Sequence, residues 1–225
     1  MPRFQDLAAG WNLPSVNISG YVTFGRDHTA AQKSWGSQLY IPGKQVSTIF
    51  NGEYLISDDR EAVICTLLGS CIAVCLYDEE RGIGAMNHFM LPKARVDQVT
   101  NPARYGDSSL EMVIAELLAW GAVFERLRAK VYGGANMLNI PNKYPFNIAI
   151  NNSQFTLDYL EKKGIPVVAR DLGGNHGRKV LFFLDDYHTE VKPVNTDHNP
   201  LVRRPRLEDE AGEAAPDEGN KIAGE

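Results

Sequence analysis

Residues 67–92, LLGSCIAVCLYDEERGIGAMNHFMLP, read as a β-hairpin around which the rest of the chain is arranged. Cys71 to Tyr77 is rich in Ile, Val, Leu and Tyr and spells a strand. A polar Asp-Glu-Glu-Arg-Gly turn follows, then a second strand from about Ile83 to Leu91 that Pro92 ends. Antiparallel pairing about a turn centred near Glu79 and Glu80 predicts Cys71 opposite His88, within the reach a thiol and an imidazole need. A free thiol, with a pKa of about 8.5, is mostly protonated at neutral pH, and a neighbouring imidazole lowers it to between about 3.5 and 7.5, giving a nucleophilic thiolate. Leu68-Gly69-Ser70 supplies a small-residue bend that leaves backbone N–H groups free to meet a substrate oxygen. Spacing alone favours a blander alternative, with Cys71 a small buried hydrophobe and His88 a satisfied core histidine.

Working outward, 225 residues with 44% hydrophobic content predict one ordinary globular domain. A net charge of −5 argues against a phosphate-tracking surface and so against nucleic acid as a partner. No run approaches the ~18 apolar residues of a membrane span, and the N-terminus lacks a basic region followed by an apolar one; no membrane insertion is expected, and a cytoplasmic location is. Three cysteines, an odd number, suit a reducing compartment. Cys65, Cys71 and Cys75 are spaced C-x5-C-x3-C without a C-x2-C knuckle or a histidine pair, so no metal and no cofactor is expected.

Residues 1–48 read as a loosely ordered extension that docks through Trp11, Phe24, Trp35 or Tyr40. The domain proper is expected over 49–194, with strands near Tyr54 to Ser57 and Ala62 to Leu68 ahead of the hairpin. After a charged connection at 93–107, Ser108-Ser109-Leu110-Glu111 has the form of a capping box. Leu110, Val113, Ile114, Leu117 and Leu118 then recur at helical spacing until Gly121. Ala129 to Tyr132 predicts a strand running into a small-residue corner, Gly133-Gly134-Ala135-Asn136. Asn152 or Ser153 is expected to cap a second helix that runs through Lys163 to a stop at Gly164. Ile165 to Asp171 and Lys179 to Leu184 read as a hairpin about the glycine-rich segment between them. Residues 195–225 are acidic, lack an apolar face and read as a disordered tail. Short strands with two separated helices predict an α+β domain, a layered sandwich of mixed and antiparallel sheets with the helices packed outside.

Four segments in order, TLLGSCIAVCLYD at 66–78, GAMNHFMLP at 84–92, GGANML at 133–138 and DLGGNHGRKVLF at 171–182, resemble the chemoreceptor glutamine deamidases of the CheD family. The resemblance implies a layered sandwich similar to the cysteine-based deamidating toxins, Cys71 as nucleophile and His88 as its base. It further implies a threonine completing the triad. The family position six before the nucleophile falls on Cys65, and the nearest threonine is Thr66. A bulge at Gly69-Ser70 would bring Thr66 round in place of Cys65, and a hydroxyl is the better acceptor for an imidazole N–H, so Thr66 is the expected orienter. Gly69, Ser70, Asn87, Gly133 and Gly134 are the expected substrate and oxyanion region. The implied activity converts a receptor glutamine to glutamate through a Cys71 thioester. The implied partners are methyl-accepting chemotaxis receptors and, in some members, a CheC-type phosphatase. A non-catalytic adaptor of the same fold and a cysteine peptidase or amidase are the alternatives.

Overall fold

Strand β4 (Ile72–Asp78) is buried at every position because both of its faces are covered. It sits in the middle of a five-stranded sheet ordered β2 (Glu53–Ser57), β5 (Ile83–Phe89), β4, β6 (Arg128–Gly133) and β7 (Val167–Leu172). A four-stranded sheet, ordered β1 (Gln45–Thr48), β3 (Ala62–Leu68), β8 (Gly177–Phe183) and β9 (Thr189–Val194), covers one side. Helices α1 (Gly106–Ala119) and α2 (Ile148–Lys163) cover the other. This computed structural model describes residues 39–94, 101–137 and 147–194. Trp11, Phe24 and Trp35 of the expected extension, part of the connection after Pro92, and the acidic tail lie outside the described residues.

Strand period decides which core each residue joins. Ile72, Val74 and Leu76 point to the helices and meet Leu110, Val113, Ile114 and Leu117, the apolar stripe of α1, all fully buried. Ala73, Cys75 and Tyr77 point the other way, into the layer between the sheets, with Ile64, Leu68 and Phe182. Full burial of each Leu, Ile or Phe is worth about 1.5–3 kcal/mol. The α+β layered sandwich is therefore as expected, with both helices on one outer face.

Several elements differ from expectation. Helix α1 starts at Gly106, and Ser109 is a buried helical residue whose hydroxyl accepts a hydrogen bond from Asn87, so the Ser-Ser-Leu-Glu box caps nothing. A short 3₁₀ turn at Pro102–Arg104, capped by Asn101, leads into it. Helix α2 is capped by Asn147, whose side chain accepts from the Ile150 N–H, and it ends at Gly164 in the left-handed conformation, as expected. The expected hairpin of β7 and β8 does not form: β7 pairs parallel to β6, and β8 pairs antiparallel to β3 in the other sheet. The glycine-rich segment between them carries the chain from one sheet to the other. Residues 45–48, read from sequence as the end of the extension, form β1 and pair in parallel with β3.

Candidate active site

The β4–β5 pairing places Ala73 opposite His88 and Ile72 opposite Phe89. Cys71 precedes β4 by one residue and so lies diagonal to His88, where direct opposition was expected. The turn closes one residue later than the sequence suggests, because Asp78 is fixed at the end of β4. Its carboxylate accepts from the Arg81 and Val123 N–H groups and pairs with Arg126. Moving a turn centre by one residue moves the partner by two and leaves the face unchanged. Cys71 and His88 therefore still share the layer between the sheets.

Thr66 enters that layer from β3. Ile64 and Leu68, on the same face, belong to the core between the sheets, whereas Cys65 packs on the outer face with Val63, Leu181 and Phe183. Thr66 Oγ1 is 2.8 Å from the Ile49 carbonyl and 2.8 Å from His88 Nδ1. The carbonyl can only accept, so the hydroxyl hydrogen goes to Ile49 and Oγ1 accepts from Nδ1–H. That assigns the tautomer and leaves the Nε2 lone pair free. Nε2 is buried and has no partner among the described residues. Ile49 is part of the arrangement and was not singled out from the sequence, where a backbone carbonyl leaves no signal.

Burial sets the charge states. It holds His88 down at about 4, so the imidazole is neutral at physiological pH. Burial pushes the Cys71 thiol up, opposed in part by its own backbone N–H and the Arg104 charge. The expected thiolate is therefore replaced by a neutral thiol beside a neutral imidazole; no hydrogen bond joins Sγ to Nε2, and desolvation dominates.

The low His88 value has a consequence for stability. An unfolded histidine takes up a proton near 6.5, whereas folded His88 resists until about 4. This contribution is complete above about 6.5 and is lost as pH falls from there towards 4, since the unfolded chain binds the proton first. Urea unfolding at pH 7 and pH 4.5 should show wild type losing on the order of 2–3 kcal/mol more than His88→Gln between the two. Equal losses in both proteins would contradict a buried neutral His88.

The expected oxyanion region divides. Gly133 and Gly134 join the site: the Gly134 N–H donates to the Cys71 carbonyl at 2.9 Å, and a Cβ built on Gly133 would sit 2.1 Å from that same oxygen. Gly133 has φ +118°, and no larger side chain fits there. Gly69 and Ser70 connect β3 to Cys71 at the rim, and the Ala135 N–H donates to the Gly69 carbonyl at 2.8 Å. Asn87 does not join. It faces the helices, its Oδ1 accepting from the Val74 N–H and its Nδ2 donating to Ser109, because neighbours on a strand point to opposite faces.

Sequence reasoning missed Arg178, having taken its segment as a turn. Its guanidinium is buried and donates to the carbonyls of Gly133 at 2.6 Å, Asp171 at 2.7 Å and Gly173. It thereby ties the Gly133–Gly134 corner to the segment crossing between the sheets. The GRK tripeptide at 177–179 is the available signal, two cations at the start of a strand that is otherwise apolar from Val180 to Phe183.

A family model described as CheD chemotactic sensory transduction matches residues 90–193, from just after β5 to within β9. The probable chemoreceptor glutamine deamidase CheD of Bordetella parapertussis is 41% identical over 173 residues, covering 76% of this chain and 79% of that protein. The protein of the same name from Laribacter hongkongensis is 38% identical over 161 residues, covering 70% and 77%. Among solved structures, the Bacillus licheniformis hypothetical protein YfiH aligns with TM-score 0.34 and 11% identity over 58% of this chain and 59% of that one, a level that bears on neither fold nor function. Identity of this degree across more than three quarters of relatives such as the Bordetella protein establishes that the chain belongs to the CheD family.

Proposed function

We propose that the protein is a protein-glutamine deamidase that converts glutamine side chains of methyl-accepting chemotaxis receptors to glutamate, with Cys71 as nucleophile, His88 as acid and base, and Thr66 as the residue that orients His88. The observation that carries this reading is the Thr66–His88 hydrogen bond, 2.8 Å long, which leaves Nε2 unpartnered in the layer that Cys71 borders. On this reading Sγ closes on Nε2 when substrate binds. Apo geometry of this looser kind tightens when substrate excludes water.

In the first half-reaction Nε2 takes the thiol proton as Sγ attacks the side-chain amide carbon, and the amide oxygen becomes an oxyanion. His88 then returns the proton to the amide nitrogen, which leaves as ammonia, and a thioester joins Cys71 to the substrate. In the second half-reaction Nε2 takes a proton from water, the hydroxide attacks the thioester, and the proton goes back to Sγ as glutamate is released. Thr66 accepts from Nδ1–H throughout and stabilises the imidazolium that forms in each half. A buried neutral imidazole beside a neutral thiol keeps the pair uncharged until an amide is in place.

Incubating the cytoplasmic part of a receptor with the protein and mapping the peptides by mass spectrometry tests this directly. Side-chain deamidation without backbone cleavage supports it; an adaptor would leave the receptor unchanged, and a peptidase would cut it. A CheC-type phosphatase is the second partner on this reading, and the cytoplasm is where the reaction takes place. No described helix is long and apolar enough to cross a membrane. The catalytic domain, expected over 49–194, is assigned on this reading to 45–194, because β1 pairs with β3 and completes the smaller sheet; residues 1–38 and 195–225 lie outside the described residues.

Thr66 and Cys65 are separable by mutation. Thr66→Val removes the acceptor for Nδ1–H and is expected to lower turnover by roughly tenfold or more. Cys65→Ser is expected to leave turnover within about twofold, since residue 65 packs on the outer face with Val63, Leu181 and Phe183 and Thr48 offers the new hydroxyl a partner. Greater damage from Cys65→Ser, measured on folded protein, would remove Thr66 from the orienting role.

A further inference from the structure

Three consecutive carbonyls around the nucleophile are each held by a donor. The Ala135 N–H donates to Gly69 O at 2.8 Å and the Gly134 N–H to Cys71 O at 2.9 Å. Between them, Asn152 Nδ2 of helix α2 donates to Ser70 O at 2.9 Å. The same amide nitrogen donates to Met90 O at 2.8 Å, two residues beyond His88. Asn152 is fully buried. Its Oδ1 has no partner among the described residues, and the reverse amide orientation would set that oxygen against two carbonyls.

Ser70 O belongs to the peptide unit whose N–H is that of Cys71. In a trans peptide the C=O and N–H point in opposite directions, and no peptide among the described residues is cis. Fixing Ser70 O towards α2 therefore aims the Cys71 N–H away from the helix. Among the described residues, neither the Ser70 N–H nor the Cys71 N–H donates to a backbone or side-chain acceptor in another residue. An oxyanion formed by attack of Sγ needs a donor close to that sulfur, and the N–H of the same residue is the backbone donor nearest to it along the chain.

We infer that Asn152 is a positioning residue of the deamidation site: its amide holds the Ser70–Cys71 peptide so that the Cys71 N–H stabilises the oxyanion, and through Met90 it sets the spacing between the cysteine and histidine strands. This rests on Cys71 being the nucleophile. A backbone donor aimed before the reaction costs no reorganisation as charge develops. Donation to the carbonyl of the same peptide also polarises the N–H and strengthens it as a donor.

The test compares wild type, Asn152→Asp and Asn152→Ala, with Cys71→Ala as a control, on a receptor cytoplasmic fragment. Asn152→Asp keeps the shape and loses both donors; Asn152→Ala decides the matter if the buried carboxylate prevents folding. Two readouts separate positioning from general loosening. Deamidation passes through an oxyanion, whereas alkylation of Cys71 by iodoacetamide is a displacement at carbon that forms none. The expected result is a kcat lowered on the order of 10²-fold, with KM and the alkylation rate each within about threefold of wild type. A kcat within about threefold of wild type in the folded variant overturns the inference, and so does a parallel fall in kcat and alkylation. Deamidation by Cys71→Ala at the wild-type rate would instead overturn the nucleophile assignment, a different failure that this control reveals by itself.

Discussion

Cys71→Ala should abolish receptor deamidation, by on the order of 10⁴-fold or more, while receptor binding survives. The size of the effect follows from the absence of a substitute thiol among the three cysteines of the chain. Cys65 faces the outer side of the smaller sheet with Val63 and Leu181, away from His88. Cys75 shares the face of Cys71 but is fully buried, and burial pushes its thiol far up. Cys75→Ala should therefore keep turnover within a few-fold and lose about 1–2 kcal/mol of stability as a small cavity opens between the sheets. Rate measurements on both variants, with receptor pull-down and denaturant unfolding alongside, check this. Equal loss of activity from both substitutions in folded protein would mean that the two thiols act together or that neither is the nucleophile.

His88→Gln should lower kcat by about 10²-fold or more, the usual worth of a positioned acid–base group. Glutamine retains an amide able to donate to Thr66, so the hydrogen bond beneath the site can persist while proton transfer is lost. The pH profile separates this from a structural effect. Wild-type rate should fall on the acid side as His88 takes up its proton near 4, and the residual rate of His88→Gln should lack that limb. An acid limb that survives in the variant would assign the titration to another group and remove His88 from the proton-transfer step.

The parts of this molecule visible in its sequence are those written in local periodicity. The hairpin β4–β5, the apolar stripe of α1 and the glycine stop of α2 are all encoded within a few residues of where they act. The start of α1 was misplaced because Ser109 answers to Asn87 on a strand, a contact that a local capping pattern cannot reveal. The turn centre was off by one residue because Asp78 is held by Arg126, far along the chain. β7 and β8 were paired with each other because a glycine-rich segment reads the same whether it closes a hairpin or crosses between sheets. β1 is four half-exposed residues, QVST, too short and polar to stand out without β3 beside it.

The site follows the same division. His88 and Thr66 lie on strands and Cys71 directly precedes one, and strand alternation is local, so their common layer is legible in the sequence even where the register is not. Asn87 was misassigned by adjacency: next to His88 in sequence, it is on the opposite face. Arg178 and Asn152 act through side-chain bonds to backbone carbonyls distant in sequence, and no spacing announces such bonds. The raised Cys71 thiol likewise comes from the whole fold, since desolvation depends on everything that covers the group.

The central claim is a covalent intermediate on one sulfur, and a rapid acid quench tests it most directly. A glutamine-containing receptor peptide is mixed with excess protein, quenched within the first turnover and mapped by mass spectrometry. A transient adduct is expected on the peptide containing Cys71, with the mass of the substrate less ammonia, that disappears as glutamate product forms and is absent from Cys71→Ala. Product appearing at its full rate with no adduct at any time, or an adduct on Cys65 or Cys75, would contradict it.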